Sequence, residues 1–216
     1  MGLLINNFVP HNSPDTWTCS LDTSNLYKVS SLRRLIDHQT LESQVQEVRW
    51  NKTLPIKVNI HTWGLFLDRL PTRYNLDIRG IDLDSTRCPI CDNGIDTANH
   101  VFVDCSVAIG VWDSISSWWR VNDCPKDLQN LIRWADLVDI NIKAKACFDA
   151  VIQTTTWILW RYRNRICFEL RPPRKDTLVE EIMILSLFWI LHRNRKFNPS
   201  WIDWISNPID ACTKFL

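Results

Sequence analysis

CPICDNGIDTANHVFVDC, residues 88–105, is the stretch on which the reading of this chain turns. Its spacing is C-x2-C-x8-H-x4-C, set by Cys88, Cys91, His100 and Cys105. Two cysteines separated by two residues hold one metal from a tight turn, because Pro89 and Ile90 let the backbone curl around it. Gly94, inside the x8 loop, is expected to supply the conformational freedom that swings His100 to a third vertex. Cys105 then completes a tetrahedral Cys3His set, the closed arrangement of a structural zinc site. Three thiolates and a neutral imidazole leave one net negative charge, which Arg87 next door would soften. The other reading of the same residues makes Cys88 and Cys91 small buried hydrophobes and lets His100 cap the following helix. On the zinc reading the cofactor is one structural Zn²⁺ per chain, coupled to folding.

The remaining cysteines, Cys19, Cys124, Cys147, Cys167 and Cys212, are isolated and read as core or bystander thiols. His11, His38, His61 and His192 have no ligand spacing, and His61 reads as a core or boundary residue. Around this segment lie 216 residues with 12 Trp, 8 Cys and only 5 Gly. So few glycines, with no GxxxxGK or GxGxxG, speak against a nucleotide-binding fold. A net charge of +1 excludes a globally basic nucleic-acid coat and an acidic tail. The start, MGLLINNFVP, has no signal-peptide pattern, and the longest apolar run, 182–191, is far short of the ~20 residues that span a bilayer. The expectation is an intracellular protein with reduced thiols and no membrane, nucleus or cytoplasm being left open. The acceptor triplet Asn51-Lys52-Thr53 then reads as accidental.

Working outward, the fold class is mainly α: a helical domain with a small N-terminal β-hairpin and a Cys3His zinc knuckle. Residues 15–29 suggest the hairpin, with Trp17-Thr18-Cys19 and Tyr27-Lys28-Val29 around a turn at Asn25. Ser30 or Ser31 caps a helix through about His38, and 39–51 is a loop or a short helix. Pro55 opens a helix made apolar over most of its surface by Val58, Ile60, Trp63, Leu65, Phe66 and Leu70, hence a central core helix that Pro71 stops. Thr72 caps a short helix that Gly80 ends. Ser106–Trp119 is a helix with Val107, Val111, Ile115 and Trp118 on one face. A looser connection with a short helix near Leu128–Trp134 leads to a long helix over about 145–169, and Pro172-Pro173 ends it. Thr177 with Glu180 reads as a capping box for the last long helix, and Trp201, Trp204 and Pro208 lie in a terminal segment packed back on the bundle.

At this point the residues carry a resemblance. Leu54-Pro55-Ile56-Lys57-Val58, Trp63, Asp68-Arg69-Leu70-Pro71-Thr72, Asn75-Leu76 and Arg79-Gly80-Ile81 precede the cysteine segment. His100 to Cys105 and Val111-Trp112 follow within and after it. This succession resembles the zinc-binding region near the C-terminus of plant non-LTR (LINE-type) retrotransposon reverse transcriptases, densely over 50–119. It is looser upstream, at Asp15-x-Trp17 and Tyr27-x-Val29, and downstream from Trp157 to Arg165. Asp96 stands where the family has Glu and Asn25 where it often has Gly; neither is a ligand. The resemblance implies domains at 1–49 (hairpin and helix), 50–119 (reverse transcriptase zinc-binding domain), 120–145 (connection) and 146–216 (C-terminal helical segment).

It also implies a function. Family members carry an endonuclease and a polymerase ahead of this region, and this sequence has no aromatic-x-Asp-Asp. The expectation is therefore a detached, non-enzymatic C-terminal fragment whose partner in the parent protein is the reverse transcriptase polymerase domain. RNA or single-stranded DNA is a further expected partner. Between Trp157 and Ser200 nine basic residues face four acids, a local net of +5. The candidate nucleic-acid contacts are Arg161, Arg163, Arg165, Arg193, Arg195 and Lys196, with Trp157, Trp160 and Tyr162 able to stack bases. The alternative is a vestigial or host-adopted structural or protein-interaction module, which exposed Trp201 and Trp204 would favour. Asp82 and Asp84 are the nearest thing to a carboxylate pair for Mg²⁺ chemistry and read as loop acids, while Asp136 and Asp139 sit on a weak helix with no third partner.

Overall fold

Cap residues written into the sequence set many of the element boundaries. The computed structural model describes residues 19–20, 25–40, 50–171, 173–194 and 197–215. The chain divides into two units, Met1–Glu47 and Val48–Leu216. In the first, α1 spans Val29–Thr40. The hairpin expected over 15–29 is not supported. Among its described residues no strand forms, and Val29 already opens α1 because the Lys28 carbonyl accepts from the N–H groups of Ser31 and Leu32. Asn25 does take the left-handed conformation, φ 53°, and its carbonyl accepts from Cys19 N–H; Trp17 and Thr18 lie outside the described residues.

In the second unit α2 runs Ile56–Phe66 behind Pro55. It is not the central core helix expected: Val58, His61, Thr62 and Leu65 are buried, whereas Ile60 and Trp63 are 51% and 43% exposed. It also ends before Pro71, at Leu67, where Asp68 turns left-handed with φ 49°. Thr72 caps α3, Arg73–Asp77, its hydroxyl accepting from Asn75 N–H at 3.1 Å, and Gly80 follows at φ 80°. A π-turn, His100–Asp104, leads into α4, Ser106–Trp119. The connection holds α5, Leu128–Ile132, capped by Asp127, and α6, Trp134–Leu137.

The centre of this unit is α7, Ile142–Phe168, which touches α2, α5, α6, the π-turn and two later helices, Leu178–Arg193 and Pro208–Phe215. Phe148, Val151, Ile152, Leu159 and Tyr162 are buried along it as the periodicity predicts. Thr154, Thr155 and Thr156 are buried too, and their hydroxyls each find a partner by donating to carbonyls of α7 itself. α8 spans Leu178–Arg193. The capping box expected at Thr177 is absent: Thr177 is in helical φ/ψ, and its hydroxyl donates to Arg174 O instead. A capping box does form at Ser200 and Asp203, opening α9, Trp201–Ser206, and α10, Pro208–Phe215, closes the chain.

Tryptophans fill the core. Trp118 meets Trp119 and Trp204 edge to face, Phe148 meets Trp134 edge to face and Trp119 at a tilt, and Trp118 Nε1 donates to Trp204 O at 3.0 Å and Trp204 Nε1 to Met183 O at 3.1 Å. Such pairs add to the free energy of burial itself. Trp204 is therefore core, whereas Trp201 is exposed. The Asn51 side-chain nitrogen donates to Asp149 and to Ala146 O, so that amide is a buried strut between the start of α2 and α7. Among the described residues, no helix is long and apolar enough to cross a membrane.

Candidate metal centre

Each of the four residues reaches the site by a different backbone device. At Cys88 the chain turns back on itself: its N–H donates to Gly94 O at 2.7 Å, and its carbonyl accepts from Asp92 N–H at 2.9 Å. Asp92 supplies the left-handed residue of that turn, φ 52°, a conformation Asp tolerates. An isolated antiparallel bridge, Arg87 to Ile95, closes the loop, and the Arg87 guanidinium donates to Asp92 O. Thr97 Oγ1 accepts from His100 N–H at 3.1 Å and starts the π-turn. In an α-helix, residues five apart sit about 140° around the axis. The wider turn, closed by Cys105 N–H on His100 O at 2.7 Å, brings both to one side.

The result is a single cluster. The sulfurs of Cys88, Cys91 and Cys105 and a ring nitrogen of His100 all lie within 4.8 Å of one another, and Cys91 Sγ is 3.2 Å from His100 Nε2. A tetrahedron with Zn–S near 2.3 Å and Zn–N near 2.0 Å has edges of roughly 3.5–3.8 Å. Cys88 and Cys105 are buried, Cys91 and His100 half-buried.

Three sulfurs this close to one another favour a cation between them. The Cys105 thiol is held below the ordinary range by a hydrogen bond with Cys88 and, against the effect of burial, by the Val107 N–H at the start of α4. Cys88 is pushed up by that same hydrogen bond and by burial, against the N–H groups of Cys91 and Ile90. Two thiolates at the 4.8 Å limit repel by roughly 3–4 kcal/mol at an effective dielectric of about 20. Backbone amides aimed at sulfur, including Asn93 N–H on Cys91 Sγ at 3.4 Å, complete a donor set of three soft sulfurs and one imidazole. That set fits zinc and leaves no open position for water.

Gly94 serves the site differently from the expectation. It has no left-handed φ; a Cβ there would stand 2.5 Å from His100 Cε1 and 2.7 Å from Nδ1. Glycine is needed for room, so that the imidazole can lie against the loop.

Asp96 is the residue whose importance the spacing alone did not reveal. Its carboxylate is fully buried, accepts from Arg73 N–H at 2.7 Å at the first turn of α3, and pairs with Arg163 of α7. Its own N–H and C=O bond Thr86 O and Tyr74 N–H. The knuckle is thereby tied to α3 and to the central helix through one buried ion pair.

This pairing removes Arg163 from the nucleic-acid set. Its guanidinium is buried, bonded to Asp96 and Asn164 and lying 5.1 Å from the Trp160 ring. Trp160 and Tyr162 are also buried, so they are core and not stacking platforms. Arg161 and Arg165 are exposed, each 3.0 Å from an acid, Glu181 and Glu169 respectively. They line an open groove with Asn164, Glu169 and the exposed ring of Phe168. Arg193 is exposed at the end of α8, and Arg195 and Lys196 lie outside the described residues.

His61 is the other residue the sequence concealed. It is 5% exposed, ringed by Phe102, Trp157 and Trp160 at centroid distances of 5.9, 5.5 and 6.3 Å, and neither ring nitrogen has a hydrogen-bond partner among the described residues. Burial pushes its pKa down to about 3.

No curated protein and no solved structure matches the chain. One family model does: the family described as zinc-binding in reverse transcriptase matches residues 27–112, a stretch that contains all four residues of the cluster and ends at Trp112, whose indole donates to Phe102 O.

Proposed function

We propose that this chain is a zinc-stapled accessory module of a non-LTR, LINE-type retrotransposon reverse transcriptase of plant type, lacking polymerase and endonuclease chemistry, whose task is to grip nucleic acid. The observation that carries the reading is the Cys3His cluster, complete within the stretch that matches the reverse transcriptase zinc-binding family. Cys88, Cys91, His100 and Cys105 hold one Zn²⁺, whose role is structural because all four coordination positions are taken by protein. The metal lets three close sulfurs ionise together. It cross-links the loop after α3 to the π-turn and the start of α4.

The nucleic-acid reading rests on Arg161 and Arg165, exposed one helical turn apart near the C-terminal end of α7, with Arg193 and the sequence neighbours Arg195 and Lys196. The acids beside Arg161 and Arg165 do not forbid phosphate contact, since exposed ion pairs hold by only about 0–1 kcal/mol. RNA or single-stranded DNA is the partner of this face. The polymerase domain of the parent protein is the expected protein partner.

A salt titration of binding to a labelled single-stranded RNA tests this. The affinity should fall steeply with salt, and Arg161→Glu with Arg165→Glu should flatten the slope by about two phosphate contacts. Absence of binding at low salt would overturn the nucleic-acid reading and leave the zinc reading standing.

A further inference from the structure

α8 has no strong sidedness; apolar residues surround it, which fits a helix covered on all sides. Leu178, Ile182, Ser186, Leu187 and Ile190 are buried against the rest of the unit. The opposite side is open. Glu180, Ile184, Phe188 and His192, each four residues on from the last, form one exposed stripe, Ile184 at 46% and Phe188 at 49%. Half-buried Leu185, Trp189 and Leu191 widen its apolar middle. The His192 ring lies against Phe188 with 4.0 Å between centroids, its Nδ1 2.8 Å from Phe188 O, so this half of the stripe is a preformed ledge.

The order along the stripe is acid, apolar, apolar, base. Turned end for end about a twofold axis level with Ser186, it matches itself: Glu180 meets His192 of the other copy, and Ile184 meets Phe188. We propose that this stripe seats a second copy of the chain, the two α8 helices packing antiparallel. Residues four apart form the ridges that interdigitate in the commonest helix packing. A twofold interface must be self-complementary, and this one is in both charge and apolarity. The first turn of α8 carries Glu180 and Glu181, the last carries His192 and Arg193. A parallel pair would set glutamate against glutamate and base against base. The antiparallel pair sets each acidic end beside a basic end and opposes the helix dipoles.

Sedimentation of the zinc-loaded full chain in reducing buffer, from low to several hundred micromolar, tests the proposal. The expected mass rises from 25.4 kDa to twice that value with concentration. Phe188→Glu should raise the dissociation constant by roughly 30-fold or more, since it removes the central anchor. Glu180→Lys alone should weaken the dimer, and adding His192→Glu to it should restore the wild-type constant. The charge exchange leaves the apolar contact intact, so it decides the matter even where Phe188→Glu does not fold. A monomer at every concentration would overturn the proposal, leaving the stripe to another partner. So would a dimer indifferent to these changes, or one that the charge exchange fails to restore.

Discussion

Acid should destabilise this protein through His61, and the effect can be sized. The imidazole sits among Phe102, Trp157 and Trp160 with no hydrogen-bond partner for either nitrogen among the described residues, and its pKa is pushed from 6.5 to about 3. Two cations already lie near the surrounding indoles, Lys57 Nζ 5.6 Å from the Trp157 ring and Arg163 Cζ 5.1 Å from Trp160. A third charge there would be buried with no hydrogen-bond partner among the described residues. Unfolding releases His61 to its ordinary pKa, so between about pH 6.5 and 3 the unfolded chain binds the additional proton. Stability is then full above pH 6.5 and falls as pH drops through that window.

At pH 5 the loss from this group is about 2 kcal/mol, which is roughly 4–8 °C in Tm for a unit of this size. The assay is denaturant unfolding near pH 7.5 and near pH 5, comparing wild type with His61→Leu, a side chain of similar volume that binds no proton. Metal release at acid pH is common to both proteins and drops out of the difference. Wild type should lose about 2 kcal/mol more than the variant between the two pH values, and the variant should equal or exceed wild-type stability near neutral pH, because it deletes two unpaired buried nitrogens. Equal losses in the two proteins would refute the reasoning.

Gly94→Ala should push the His100 ring out of place, since its Cβ would lie 2.5 Å from Cε1; competition with a chromogenic chelator should show at least about a tenfold loss of zinc affinity, and an unchanged affinity would contradict the geometry. Arg163→Ala strands the buried Asp96 carboxylate and should cost about 3–5 kcal/mol in urea unfolding. The double change D96N/R163M should cost clearly less than that single one, and equal costs would show that the pair is not the reason. Thr72→Ala deletes the cap of α3 and should cost about 1 kcal/mol, read from the same unfolding curves.

What the sequence discloses here is mainly local. The Cys3His spacing, the Thr72 cap, the Gly80 stop and the run of α4 depend on neighbours within a turn or two, and the structure realises each. The long helix and its inner face follow from periodicity. What escaped is set by distant partners. Nothing near Arg163 says that its guanidinium is buried on Asp96, 67 residues earlier, and in a basic stretch it looks like one more surface charge. The outward turn of Ile60 and Trp63 depends on which face of α2 meets α7, which an evenly apolar helix leaves undecided. His61 looks ordinary until three aromatic rings from other elements close around it. Thr177 has the residues of a capping box and the wrong backbone conformation for one, while Ser200 and Asp203 form the box. Gly94 drew attention for its freedom, though its missing Cβ is what the site uses.

The claim that the fold is stapled by zinc at Cys88, Cys91, His100 and Cys105 is tested most directly by metal content. Elemental mass spectrometry of the purified chain, alongside the double variant C88S/C105S, should find one zinc per wild-type chain and none in the variant. Folded wild-type protein without zinc, or a variant that retains it, would contradict the account.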